Sequence, residues 1–185
     1  MQDNALKEAE SKMRKTVAVL EHDLAGIRTG RATPALLDSI RVDYYGAPTP
    51  LNQIAGVSAP EARLLVIQPW DRTILPVIEK AILKSELGLT PSNDGNVIRL
   101  VVPILSEERR RDLVKVVRKR VEAGRVAVRN VRRDILEQLR GLERDKQFSL
   151  DVYQQAQERL QKLTDAFIAE VGKVGQAKED ELLEV

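Results

Sequence analysis

Arginine is the residue type with the most chemistry to offer in this chain, and its spacing concentrates it. Between Lys115 and Arg133 stand eight basic residues, six of them arginine, against the single acid Glu122. Set at about 100° per residue on a helix, Arg111, Arg118, Arg125, Arg129 and Arg132 fall in one band about 60° wide. Lys115, Arg133 and Arg140 widen its outer edge. A planar guanidinium donates two parallel hydrogen bonds to phosphate oxygens. A stripe of them reads a phosphate backbone. One acid is too few for the band to pair with itself through i,i+4 bridges, so a merely solvated face is the weaker account. Arg132 is expected at mid-band, exposed and free of nearby acids. The segment 106–146 contains no Phe, Tyr or Trp, which argues against stacking on unpaired bases. Phosphate and shape remain, and they suit folded, helical RNA. No helix-turn-helix or zinc-finger pattern speaks for DNA.

The ingredients of catalysis are missing. There is no cysteine, hence no thiolate nucleophile, disulfide framework or Cys-type zinc site. His22 is the only histidine, lying between Glu21 and Asp23 off the apolar seam of its segment, where a surface position is expected. Ser–His–Asp and metal chemistry therefore lack parts. Asp71, Glu79 and Glu86 offer carboxylates, but Asp71-Arg72-Thr73 reads as a turn capping the helix that follows, and Glu79-Lys80 as its wet face. No Walker-type glycine loop occurs. Catalytic residues, metal and cofactor are all expected to be absent. Trp70 reads as a core or interdomain residue, with a partner contact as the sharper alternative.

The elements that position the arginines are set by proline. All eight prolines lie between Pro34 and Pro103. A helix-interior proline costs about 3 kcal/mol, so the flanks are free to form long helices and the middle is not. Met13, Val17, Leu20, Leu24 and Ile27 recur at steps of four and three. So do Val117, Val121, Gly124, Val128, Val131, Ile135, Leu139 and Leu142, and then Tyr153, Ala156, Leu160, Leu163, Phe167, Val171 and Val174. Each set is one apolar stripe, and three stripes can bury one another. Ser106 and Ser149 are candidate N-caps and Gly30 a candidate end for the first helix. A helix from Ser106 to Asp145 would be roughly 60 Å long.

Residues 1–30 and 106–185 are thus expected to form an antiparallel three-helix bundle, with 31–105 inserted as a small α/β domain. Strand-like runs occur at Ile40–Tyr44, Leu64–Gln68 and Val97–Val102, and one helical stripe from Ile74 to Ile82 ends at Gly88. The chain crosses twice, near 30–34 and 102–105. Gly30, Thr33, Pro34, Pro103 and Leu105 are the candidate hinge. Charge follows the same division. Segment 106–146 carries fourteen basic and eight acidic residues, and 147–185 carries four and eight, within a net charge of only +2. No run approaches the ~18 apolar residues of a membrane span, and the polar start is unlike a secretory signal. A soluble, cytoplasmic, monomeric protein is expected. By spacing alone, a non-ribosomal coiled-coil adaptor would also fit.

One run identifies a family. Ala127-Val128-Arg129-Asn130-Val131-Arg132-Arg133-Asp134 resembles the signature of the ribosome recycling factors, and so does Arg28-Thr29-Gly30-Arg31-Ala32-Thr33-Pro34. Tyr44-Tyr45-Gly46, Pro69-Trp70-Asp71-Arg72, Asn93-Asp94-Gly95 and Pro103-Ile104-Leu105-Ser106-Glu107-Glu108-Arg109-Arg110 match in order and spacing. The resemblance implies an α+β fold in which a three-helix bundle and a small β/α/β domain make an L shape resembling transfer RNA. It implies a non-catalytic partner of elongation factor G that helps split the post-termination ribosome. It further implies that Arg129 and Arg132 contact large-subunit ribosomal RNA. Arg133, Arg125, Arg118, Arg110, Arg28 and Arg31 complete the expected RNA-facing set. Gly124 departs from the family pattern, where alanine is more usual. Closer helix approach would offset its cost.

Overall fold

A computed structural model describes residues 1–184. In chain order the helices are α1 (Gln2–Ala25), α2 (Leu75–Lys84), α3 (Glu107–Arg144) and α4 (Leu150–Leu183). The chain groups into two compact units, residues 1–24 with 108 onward, and residues 25–107.

The first unit is a bundle of α1, α3 and α4. None of the three contains a proline, and each buries its apolar stripe. Met13, Val17 and Leu20 of α1, Val117, Val128, Ile135 and Leu139 of α3, and Leu160, Phe167 and Val171 of α4 are all removed from water. Val131 and Leu142 of α3 are only half-buried. Ser149 caps α4, its Oγ accepting from the Val152 amide at 3.3 Å. At the other end of that turn, Lys146 takes φ +57. Its amide donates to the Glu143 carbonyl, and that of Gln147 to the Leu142 carbonyl, both at 2.9 Å. That pair of bonds is the Schellman closure of a helix, here with lysine in the left-handed position.

The end of α1 differs from expectation. It stops at Ala25, not at Gly30. Gly26 follows at once, and glycine is the poorest helix former after proline. Gly30 lies in the connector beyond, with φ +81.

The second unit holds six strands: β1 (Arg41–Tyr44), β2 (Ala47–Pro50), β3 (Ala55–Glu61), β4 (Leu64–Pro69), β5 (Pro91–Asn93) and β6 (Ile98–Val101). β1 and β2 form an antiparallel hairpin. The other four make an antiparallel sheet in the order β3-β4-β6-β5. Leu65 pairs with Leu100 and Ile67 with Ile98, so the buried positions of β4 and β6 face one way. Ile78 and Ile82 of α2 join the same core. Asp71 caps the short 3-10 turn Arg72–Ile74 that leads into α2, its Oδ1 accepting from the Thr73 amide at 2.9 Å. α2 ends at Lys84, before Gly88, because Ser85 turns extended. Asp94 closes the turn before β6. It accepts from the amides of Asn96 and Val97 and from Arg99, which hold its carboxyl far below the usual carboxylate range.

Two glycines set how closely the bundle helices approach. A Cβ at Gly175 would lie 2.4 Å from Val121 Cγ2. Valine on a helix is stiff at χ1, so that methyl cannot swing aside freely. A Cβ at Gly124 would meet Leu20 Cδ2 and Val171 Cγ1 at 3.4 Å, at the tight end of ordinary contact. The two positions should therefore respond with opposite sign. Gly175→Ala should destabilise by about 1–3 kcal/mol through overpacking. Gly124→Ala should stabilise by up to about 1 kcal/mol through helix propensity. Urea unfolding of both variants checks this, and destabilisation of equal size at both sites would contradict it.

Candidate nucleic-acid interface

The long run of α3 fixes its arginines relative to the seam, and the seam is held by α1 and α4. The band therefore has to stand beside those helices. On the α4 side, Arg118 donates to Glu179 through Nε at 2.9 Å and Nη2 at 3.3 Å. The Glu179 hydrogen bond, and then its charge, hold that guanidinium above its ordinary pKa. One helical turn or two further on, Glu122 serves two arginines, reaching Arg125 at 3.4 Å and Arg129 at 3.5 Å. Arg133 lies 3.5 Å from Asp134. Apart from Arg118 with Glu179, whose carboxylate is largely buried, these pairs are solvent-exposed to a large degree, and such pairs contribute roughly 0–1 kcal/mol. A phosphate can displace them.

Arg132 departs from its expected placement. It is half-buried, its Nε has no hydrogen-bond partner, and its Nη1 donates to Gln161 Oε1 of α4 at 2.7 Å. The Gln161 amide in turn donates to Asp165 at 2.8 Å. An acid does share its face, one residue removed. The 3–4 spacing of α3 showed where the band lies but not how far α4 overlaps its edge. Arg118, Arg129 and Arg133 are the more exposed members.

The outlying candidates separate. Arg110 is half-buried with its Nε unpartnered, near the start of α3. Arg28 belongs to the second unit and donates to the Leu87 carbonyl at 2.6 Å, tying the connector to the residues after α2. Arg31 is exposed in that same unit. Neither lies on α3. Lys115 and Lys119 are exposed on α3 and belong to no ion pair among the described residues, while Arg120 donates to the Asp23 carbonyl of α1 at 2.8 Å. Trp70, expected in a core or between domains, is 72% exposed. It follows the buried Pro69 at the end of β4 and takes the outward phase of that strand's alternation. His22 is exposed, as its flanking acids suggested. Among the described residues no group of His, Cys, Asp or Glu could hold a metal ion, and no helix is long and apolar enough to cross a membrane.

The chemistry available is phosphate binding by guanidinium and ammonium groups along one face of α3. Comparison with known proteins gives this geometry a family. The family model "Ribosome recycling factor" matches residues 20–183. The ribosome-recycling factor of Pelotomaculum thermopropionicum is 55% identical over all 185 residues of both chains. That of Heliobacterium modesticaldum is 58% identical over 97% of each. A solution structure of the ribosome recycling factor superposes with a TM-score of 0.80 at 46% identity, covering 100% of this chain and 98% of the other. A second structural relative, at 50% identity and TM-score 0.70 over 99% of each chain, comes from models of the T. thermophilus ribosome recycling factor and the E. coli elongation factor G bound to the E. coli post-termination complex. Matched along its whole length in sequence and in fold, the chain belongs to the ribosome recycling factor family.

Proposed function

We infer that this chain binds the post-termination ribosome through large-subunit ribosomal RNA and, with elongation factor G, promotes its separation into subunits. It is a translation factor of a non-enzymatic family. The observation that carries the RNA-binding part is the build of α3. Thirty-eight proline-free residues present a buried seam to α1 and α4 and a guanidinium band beside it. The absence of aromatic residues on α3 supports contact with phosphates over contact with bases.

Arg129, Arg132, Arg133, Arg125 and Arg118 are the proposed RNA-facing residues on the band, with Arg110 at the start of the helix. Arg28 and Arg31 are assigned a lesser part. The crossings are proposed as a hinge. Thr33 is extended ahead of Pro34, which opens the 3-10 turn Pro34–Leu37. Leu105 packs at Gly30, where a Cβ would lie 3.7 Å from Leu105 Cγ. Pro103 stiffens the return. Gly30→Val forces a β-branched residue to positive φ, so it should change the small-angle scattering profile while both units stay folded. An unchanged profile would remove Gly30 from the hinge.

Arg129→Ala is the cleanest probe of the band, because Arg129 is exposed and its only partner is the distant oxygen of Glu122. It should fold normally and bind large ribosomal subunits more weakly by about 1.5–3 kcal/mol, the range for a charge-assisted hydrogen bond. Arg132→Ala should also weaken binding, with some loss of stability because Gln161 loses its partner. Glu122→Gln should do the reverse and tighten binding, since it frees Arg125 and Arg129 without changing the fold. Arg63→Ala, exposed on the second unit, should have the least effect. Equal affinities across these four variants, measured by co-sedimentation at one salt concentration, would reduce the band to a solvated face.

A further inference from the structure

The hairpin between β1 and β2 turns through Tyr45 at φ +51 and Gly46 at φ +84. Positive φ at both central positions is what a tight hairpin turn demands, and glycine or asparagine is the ordinary choice. A bulky residue there is strained. The strain sets a ring in water, for Tyr45 is 80% exposed at the tip. Tyr44 supports it edge-on, with ring centroids 4.6 Å apart at 74°. The Tyr45 hydroxyl stands 3.5 Å from Asp71 Oδ2, and Asp71 follows Trp70 in the chain. The hydroxyl of one exposed aromatic residue thus approaches a carboxylate that directly follows a second, for Trp70 is 72% exposed.

That carboxylate is prepared to stay ionised. Its Oδ1 accepts from the Thr73 amide at 2.9 Å and the Thr73 hydroxyl at 2.7 Å, which lower its pKa. Its Oδ2 has only the long contact with Tyr45. A fixed negative charge beside an exposed ring repels phosphate and favours a flat cation, which can stack on a ring and donate to the carboxylate together. No cation among the described residues takes the place. Among the described residues the only cation–ring contact is Arg14 over Phe167 in the bundle, and neighbouring Arg72 has neither an ion pair nor a ring contact.

We propose that Tyr45, Trp70 and Asp71 form a docking cradle for an arginine side chain on a basic segment of a partner protein. This surface lies on the second unit, is opposite in charge preference to the α3 band, and stands independently of the RNA-binding assignment. Aromatic residues with a buried or paired charge are the usual energetic centres of protein interfaces, and the charge here selects a basic partner over an acidic one.

Trp70 is the only tryptophan, so its fluorescence reads this site and no other. The full chain is titrated with a synthetic arginine-rich peptide, with an acidic peptide of equal length, and with a single-stranded oligonucleotide. The arginine-rich peptide should give a saturable change in Trp70 emission, and the other two should not. Asp71→Asn keeps the cap on Thr73 and should weaken the response about fivefold. Tyr45→Gly relieves the positive φ, so it removes the ring without endangering the hairpin, and should weaken it similarly. A stronger response to the oligonucleotide, an equal response to the acidic peptide, no response at all, or unchanged affinity in both variants would overturn the proposal.

Discussion

Everything in the bundle depends on the contact of the α3 seam with α1 and α4. Val117, Val121, Val128, Ile135 and Leu139 can leave water only if both neighbours approach closely along the whole rod. At Gly175 of α4 the approach leaves no room for a side chain, since a Cβ there would lie 2.4 Å from Val121 Cγ2. An isolated helix of this composition would have no partner for its valines, which are poor intrinsic helix formers. Packing therefore supplies both the straightness and the orientation of α3. Because the seam is fixed, so is the quarter turn beside it that carries the arginines. The guanidinium groups are presented by a helix that cannot roll.

The same contact tunes the band. α4 is acidic, and where it overlaps the edge of the band it contributes Glu179 to Arg118 and Gln161 to Arg132. Within α3, Glu122 holds Arg125 and Arg129 loosely. These pairings order long side chains, and only at Arg132 is part of the guanidinium, its unpartnered Nε, buried as well. The arginines are oriented in the absence of ligand, at little electrostatic cost to exchange. A band with no acids nearby would repel itself along the rod, and one with many would have nothing left for phosphate.

How much of this was legible in the sequence follows from where each residue sits in a pattern. The helices were legible because proline is confined to the middle and the 3–4 stripes are long. The central strands β4 and β6 were legible because both have buried alternating residues. β2, β3 and β5 were not, and all three lack neighbours on one side. Ala47-Pro48-Thr49-Pro50, the proline in β3 and Pro91 opening β5 are tolerated only there, since a proline on a free edge forfeits no ladder bond. The band was legible as an angular sector, but the burial of Arg132 was not, because it depends on Gln161 of another helix. Trp70 was expected in a core or between domains. The signal that could have corrected it was its neighbour: a capping aspartate marks a turn, and turns lie at the surface.

The central claim is that α3 holds the ribosome by phosphate contacts, and the salt dependence of binding tests it most directly. Each phosphate neutralised releases counterions, so the logarithm of affinity should fall linearly with the logarithm of salt, by about 0.7–0.9 per contact. With Arg129, Arg132, Arg133 and Arg125 engaged together, binding of the intact chain to large ribosomal subunits should show a slope of roughly −3 or steeper between low and physiological salt. A slope near zero would mean that the chain binds ribosomes through contacts other than its arginines, and would contradict the account.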